Sequence, residues 1–412
     1  MSVPKILLEA LGVHGAVLED VQDTAEGVVL RVRVGWRDRW RCPLCHRRCP
    51  RYDRGRSRRW RAPDLGLRRC WLKAEIPRIR CPEHGCRVAA VPWARPGSRF
   101  TRYFEDTVVW LAARMDRTAV TRRMRITWRS VTRIIERVIE ELRELDDLLE
   151  GLEEIGIDEI SYRKGHKYLT VVVDHQRDRL VYAAEGRTRE AVEGFFKMLG
   201  PERCRKLRVV TMDGALWIQE IAREYAPFAV ICLDPFHVVQ WATEALDEVR
   251  RAVWNRLRRS SDPAQRRLAK SLKNSRFVLW KASERHTPRD RVKLSEIRRH
   301  NRGLWRAWLL KEQLREILRA KSAEAVNALK QWLAWAQRSR LKPFVELGRR
   351  IRRHLADLLA AVLLRKSNAR IESANTRLRL LHRIAFGFHR PETMIAMAYL
   401  KVGRLCPDLA LR

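Results

Sequence analysis

The pattern of apolar and polar positions divides the chain into stretches of different period. Ile6-Leu7-Leu8-Glu9-Ala10-Leu11 opens it, and Val28-Val29-Leu30-Arg31-Val32-Arg33-Val34 then alternates and predicts a strand. A second strand-like stretch runs from Arg69 to Arg80. Between 100 and 145 the period becomes helical, with Phe104, Val108, Val109, Leu111 and Ala112 on one face. A short basic segment, Thr118 to Met124, is joined through Arg125-Ile126 to a longer helix that Thr127 can cap. An acidic, Leu-rich helix from Glu136 to Glu150 leads to three β-branched runs separated by charged turns. These are Glu154-Ile155-Gly156-Ile157-Asp158-Glu159, Tyr168 to Asp174 and Arg179 to Ala184, the signal of adjacent strands in a buried sheet. A helix from Arg189 to Leu199, a strand from Leu207 to Asp213, a helix from Ala215 to Tyr225 and a strand from Ala229 to Asp234 follow. From Val238 to Leu364 the pattern is almost wholly helical. A last helix carries Lys366 to Arg379.

This order predicts a multidomain α+β and α/β chain. Residues 1–98 form a zinc-binding domain, 99–150 a helix-turn-helix, and 151–240 the first part of a core. Residues 241–364 form an all-helical insertion and 365–412 the C-terminal helices of that core. Three consecutive strands, then helix, strand, helix, strand, is the order of ribonuclease H-like domains, which carry acids at the ends of the first and fourth strands. With 412 residues the chain has room for this many units.

Charge narrows the partner. Lys and Arg number 86 against 49 acids, a formal net charge of +37, and Arg far outnumbers Lys. Arg forms bidentate bonds to phosphate and to guanine, so nucleic acid leads. No apolar run is long enough to span a bilayer and no signal peptide opens the chain, which sets a membrane role aside and predicts a cytoplasmic protein. Tryptophans at 241, 254, 280, 305, 308, 332 and 335 are interleaved with basic residues, a helical body basic outside and aromatic inside.

Nine cysteines in such a chain favour metal binding over disulfides. Cys42-Pro43-Leu44-Cys45 and Cys81-Pro82-Glu83-His84-Gly85-Cys86 are two knuckles, so Cys42, Cys45, Cys81 and Cys86 offer four thiolates to a structural Zn²⁺. Cys49, Cys70, His46 and His84 are further candidates. In the helix-turn-helix, Arg122 and Arg123 precede the turn, and Trp128, Arg129, Ser130 and Arg133 lie on the first turns of the presumed recognition helix. An acid within a basic, Asn-rich helix, Glu372 among Asn368, Arg370, Asn375, Arg377 and Arg379, is either salt-bridged or a metal ligand facing a phosphate. Asp158, Asp213 and Glu372 together suit two Mg²⁺ ions, because hard cations take carboxylate oxygens and relieve the repulsion of clustered acids. Taken singly, each would be a surface acid.

Gly156 to Glu159 with Arg163-Lys164-Gly165-His166, then Asp234-Pro235-Phe236-His237, then Ser367-Asn368 through Glu372 and Asn375 resemble the ISL3 family of bacterial insertion-sequence transposases. The finger and the helix-turn-helix match its order. The resemblance implies a DDE transposase with a ribonuclease H-like core, interrupted by a helical insertion before the final Glu. By matching positions it makes Asp158, Asp213 and Glu372 the catalytic, Mg²⁺-binding triad, with Mn²⁺ an alternative metal. Asp234, His237, Asn368 and Asn375 support the site, and Asp234 is the rival for the second acid. Arg370 and Arg379 join the DNA-binding set. Ala369 and Ser373 stand where the family often has Gly. The implied activity is binding of double-stranded DNA at the inverted-repeat ends, cleavage, and transfer to target DNA by at least a homodimer at the bacterial nucleoid. The rival reading is a catalytically silent, transposase-derived repressor.

Overall fold

The computed structural model describes residues 3–163, 165, 167–320, 324–385 and 387–409. Two compact units emerge. One comprises residues 1–148 with 381–412, the other residues 149–380.

In the first unit, strands β1 (Ala16–Thr24), β2 (Gly27–Val34), β3 (Arg56–Leu65) and β4 (Arg68–Ile76) form a sheet in the order β1-β2-β4-β3. The alternation at 28–34 buries Leu30 and Val32 beside Leu72, Trp60 and Trp93. Gly27 closes the β1–β2 turn at φ +131°, and a Cβ there would lie 2.2 Å from the Arg69 carbonyl oxygen. Only glycine fits. A short hairpin, β5 (Arg78–Cys81) and β6 (Gly85–Val88), follows.

Helices Arg102–Ala112, Arg117–Met124 and Trp128–Leu145 come next, capped by the side chains of Thr101, Asp116 and Thr127. Arg125 ends the second helix in the left-handed conformation, which makes the turn expected at 125–126. Val120, Met124, Val131, Ile134 and Ile135 are buried, so apolar periodicity fixes the angle between these helices. Buried Arg95 ties the bundle through ion pairs with Glu105, Asp106 and Glu141. The C-terminal core segment expected over 365–412 is divided: residues after Leu380 group with this first unit. The physical reason is apolar packing of the helix Pro391–Lys401, which buries Met394, Met397 and Tyr399 and packs on Trp128–Leu145.

The second unit is built on a five-stranded sheet. Strands β7 (Glu154–Arg163), β8 (Lys167–Asp174), β9 (Arg179–Glu185), β10 (Val209–Met212) and β11 (Val230–Leu233) stand in the order β11-β10-β7-β8-β9. The first three pair antiparallel, whereas β10 runs parallel to β7 and β11 parallel to β10. Helices Arg189–Leu199 and Leu216–Tyr225 bury Phe195, Phe196, Ile218 and Ile221 against Ile155, Ile157, Val172 and Val210 on one face. On the other, Ala361 of the helix Leu355–Leu363 packs on Val209 and Cys232.

Beyond β11 the helix Pro235–Arg258 carries the chain into a helical body that ends at Leu363. Trp332 is fully buried there, Trp308 and Trp241 nearly so, and Trp254, Trp305 and Trp335 pack partly against the core. Trp280 is exposed, with the Arg276 guanidinium 3.9 Å from its ring. No helix among the described residues is long and apolar enough to cross a membrane.

Candidate functional site

Sheet register aligns the acids: Asp213 and Asp234 follow β10 and β11, whereas β7 runs on to Arg163 through its pairing with β8, so Asp158 lies within its strand and not at the end the sequence predicts. In the parallel pair β7–β10, Gly156 faces Thr211, and in β10–β11, Met212 faces Leu233. Continuing that register sets Asp158, Asp213 and Asp234 on one level of three adjacent strands, which stand about 4.8 Å apart. Strand alternation turns Ile157 into the helix-covered core and Asp158 to the opposite face. Glu372 comes from the helix Ala369–Ile384.

Asn375, one turn further along that helix, donates from Nδ2 to Asp158 Oδ2 at 2.7 Å, and the Glu159 N–H holds Oδ1 at 2.8 Å. The Ala215 N–H fixes Asp213 Oδ1 at 3.0 Å. Asp234 caps the helix Pro235–Arg258 by accepting from Phe236 N at 3.2 Å, while its Oδ2 is buried without a partner. Residues expected apart in sequence therefore share one site, with Asn368 and Asn375 both buried in it.

Burial raises the pKa of Asp158, and the Asp213 charge adds to this against the Glu159 N–H, His237 and Arg379. Glu372 is raised by burial and by Asp234 and Asp158, with His237 and Arg379 opposing. Asp234 is raised chiefly by burial, against N–H groups of Phe236 and Asn368 and the His237 charge. A hard divalent cation bound among these acids would relieve their mutual repulsion, although among the described residues no three of their ligand atoms stand within 4.8 Å of one another.

Sequence reasoning missed four members of the site. Glu159 is pushed up to about 7 by burial and the Asp213 charge, in spite of an ion pair with Arg187 at 3.0 Å. His175 and Thr211 form the second and third. His175 Nε2 and Thr211 Oγ1 are 2.7 Å apart, and the Thr211 hydroxyl donates to Asn368 Oδ1. Asn368 Oδ1 can only accept, so the Thr211 proton is committed to it and His175 Nε2 carries the proton shared with Thr211. Gly156 leaves the space this chain of bonds needs: a Cβ there would lie 2.9 Å from His175 Nε2 and 3.1 Å from Thr211 Oγ1. Arg350 is the fourth, stacked 3.5 Å from the centre of the Trp241 ring, whose edge fills the space beside Gly214. Arg379 is exposed yet acts on both Asp158 and Glu372, and exposed Arg370 donates to the Gln176 carbonyl at 3.3 Å. Of the resembling Arg163 to His166 segment, Lys164 and His166 lie outside the described residues.

The first unit holds a second site. Ligand atoms of Cys42, Cys45, Cys81 and His84 lie within 4.8 Å of one another. The Cys45 and Cys81 sulfurs are 3.6 Å apart, and His84 Nδ1 is 3.5 Å from Cys81 and 3.7 Å from Cys42. Three thiolates and an imidazole are a donor set for tetrahedral zinc. Burial pushes the Cys81 thiol up, but His84 and the His84 and Glu83 N–H groups bring it down to about 6. The fourth ligand expected from the sequence was Cys86. It is exposed, because Arg80 pairs with Cys86 across the hairpin and Cys81 with Gly85, so Cys86 shares the outward face.

In the helix-turn-helix, Arg122, Arg123, Trp128, Arg129 and Arg133 are all exposed. Ser130 is half-buried, and both its N–H and its hydroxyl are engaged with Thr127, so it serves the cap.

Comparison with known proteins agrees with this organisation. A family model described as transposase matches residues 155–398, more than half of the chain. The chain belongs to the ISL3 family of transposases. A model for the helix-turn-helix domain of that family matches residues 89–139, and one for the zinc-finger of the IS204, IS1001, IS1096 and IS1165 transposases matches residues 38–86. The chain is 44% identical over 416 aligned residues to the transposase for insertion sequence element IS1557 of Mycobacterium tuberculosis, covering 95% of this chain and 94% of the relative. It is 27% identical to the transposase for insertion sequence element IS1001 of Bordetella parapertussis, covering 90% and 89%. The ISL3 zinc-finger match spans Cys42 to Cys86 and so includes all four clustered ligands.

Proposed function

We propose that this ISL3 transposase binds the inverted-repeat ends of its own insertion sequence and carries out Mg²⁺-dependent strand cleavage and strand transfer on a ribonuclease H-like core. The observation that carries the reading is the set of four acids, Asp158 within β7, Asp213 and Asp234 at the ends of β10 and β11, and Glu372 on a helix, whose charges act on one another. The strand order and directions of the sheet support the fold assignment.

In this reading Asp158, Asp213 and Glu372 hold the metal. Bound Mg²⁺ supplies activation of the attacking oxygen and neutralises charge on the scissile phosphate. The protein does the rest. Asn375 fixes the Asp158 carboxylate for one ligand geometry, and the Ala215 N–H does the same for Asp213. Asn368 is buried beneath the acids, and its orientation is set by Thr211. Asp234 positions the start of the helix that carries His237. Arg379 brings positive charge to Asp158 and Glu372 and to the DNA they face. Each displacement at phosphorus runs in line from water or a 3′-hydroxyl, so no covalent protein intermediate is needed. Exposed Arg122, Arg123, Trp128, Arg129 and Arg133 contact the ends, Arg370 and Arg379 contact DNA near the acids, and two copies of the chain hold two ends.

The test incubates the full chain with a linear duplex carrying the element's ends, in Mg²⁺ or EDTA, and maps nicks at nucleotide resolution. Cuts at the boundary that require Mg²⁺ and disappear with Glu372→Gln, while duplex binding persists, are expected. Binding with no cut under any divalent metal would overturn the catalytic reading and leave a silent DNA-binding protein.

A further inference from the structure

Within the first unit, a groove of about 820 Å³ lies between the sheet and the start of the helix Trp128–Leu145. Its floor is β3 and β4, with Arg59, Arg61, Arg69 and Trp71. One wall is the 97–100 segment with Arg99, and the other is Arg125 to Arg137. Seven arginines line it and no acid does. Part of that charge is answered from outside the groove. Arg59 pairs with Glu26, Arg61 and Arg125 share Asp64, and Arg137 pairs with Glu105. Arg69, Arg99 and Arg133 are exposed and have no acidic partner among the described residues.

The groove is also built. Arg61 N–H donates to the Arg99 carbonyl at 2.8 Å and Thr101 N–H to the Arg61 carbonyl at 2.9 Å, so the wall is stitched to the floor. The Arg61 side chain is buried and binds the Ala62 and Cys70 carbonyls. Trp71 stands between the guanidinium groups of Arg59 and Arg61, at 4.8 and 5.5 Å from its ring, and its indole N–H is buried without a partner. Three unanswered cations and a helix N-terminus on one trough select a polyanion of regular spacing.

The geometry points to a DNA-backbone site: this groove takes the sugar-phosphate backbone of one strand beside the major groove entered by the recognition helix. Arg69 and Arg99 from the zinc-bearing module and Arg133 from the helix contact successive phosphates. The two modules then grip one continuous duplex. This site rests on the end-binding reading above and adds a sequence-independent grip to it.

The experiment is fluorescence anisotropy of the full chain with a duplex from the element's ends and with a scrambled duplex, across a KCl series. Arg69→Gln, Arg99→Gln and the triple Arg69→Gln/Arg99→Gln/Arg133→Gln variant are compared. Each arginine withdrawn from a phosphate lowers the slope of log K against log salt by about 0.9, so the triple variant lowers it by about 2.7. Both duplexes weaken together, because a bond to phosphate carries no sequence information. Arg69→Lys restores the slope. A triple variant of native circular dichroism that binds both duplexes with wild-type affinity and slope overturns the groove site. Failure of the wild-type chain to prefer the end duplex would instead overturn the end-binding reading.

Discussion

Replacing Thr211 by valine tests the hydrogen-bonded chain beneath the acid cluster. Thr211, His175 and Asn368 are 1%, 7% and 0% exposed, so no water substitutes for a missing partner. Valine keeps the volume and removes the hydroxyl. It leaves the His175 Nε2 proton and Asn368 Oδ1 buried and unsatisfied, at about 1–3 kcal/mol each. A loss of about 2–6 kcal/mol is expected, nearly all of it in the unit spanning 149–380. For a unit of this size each kcal/mol moves the melting temperature by about 2–4 °C, so a loss of about 3 kcal/mol lowers it by about 6–12 °C. Thr211→Ser is the control. It retains the hydroxyl and loses one buried methyl, about 1 kcal/mol. Calorimetry of the full chain, following the transition that this unit dominates, reads both. If valine lowers that transition no further than serine does, the hydroxyl carries no such bonds and the role given to Thr211 is refuted.

Zinc content separates the two candidate fourth ligands: His84→Ala is expected to lose stoichiometric metal by elemental analysis, while Cys86→Ser retains it, and the reverse result would return the site to four thiolates. His175 is brought down to about 4, chiefly by burial and then by the Arg370 charge. The unfolded chain therefore binds more protons below about pH 6.5, and stability that is complete above that pH falls as pH drops toward 4, by about 3 kcal/mol at most. Urea melts between about pH 7 and 4.5 should show this loss, and His175→Asn should remove that part of the slope. Gly27→Ala meets the Arg69 carbonyl oxygen at 2.2 Å in a left-handed backbone, so a loss of about 3 kcal/mol or more is expected in the first unit. A neutral melt there would show that the hairpin can re-form.

The sequence by itself determined the elements and the chemistry in them. Strand alternation at 28–34, β-branched runs leading to Asp158, Asp213 and Asp234, the Thr127 cap and the Cys42–Cys45 knuckle are local signals, set by side chains within a few residues of one another, though the first of those runs continues as strand to Arg163. The helix of Arg and Asn that carries Glu372 was legible too. The tertiary structure alone decided which of these side chains meet. The choice of His84 over Cys86 depends on hairpin register, since one residue along a strand turns a ligand from the cluster to the solvent. Thr211 and Asn368 are 157 residues apart, and only the return of the chain through the helical body joins them. Glu159 reads as a second surface acid until burial and the Asp213 charge raise it. The arginines of the groove are scattered over β3, β4, the 97–100 segment and the recognition helix, and no period along the chain relates them. Periodicity encodes which face of an element is buried. What that face is buried against is set by packing between elements distant in sequence, and there the site is made.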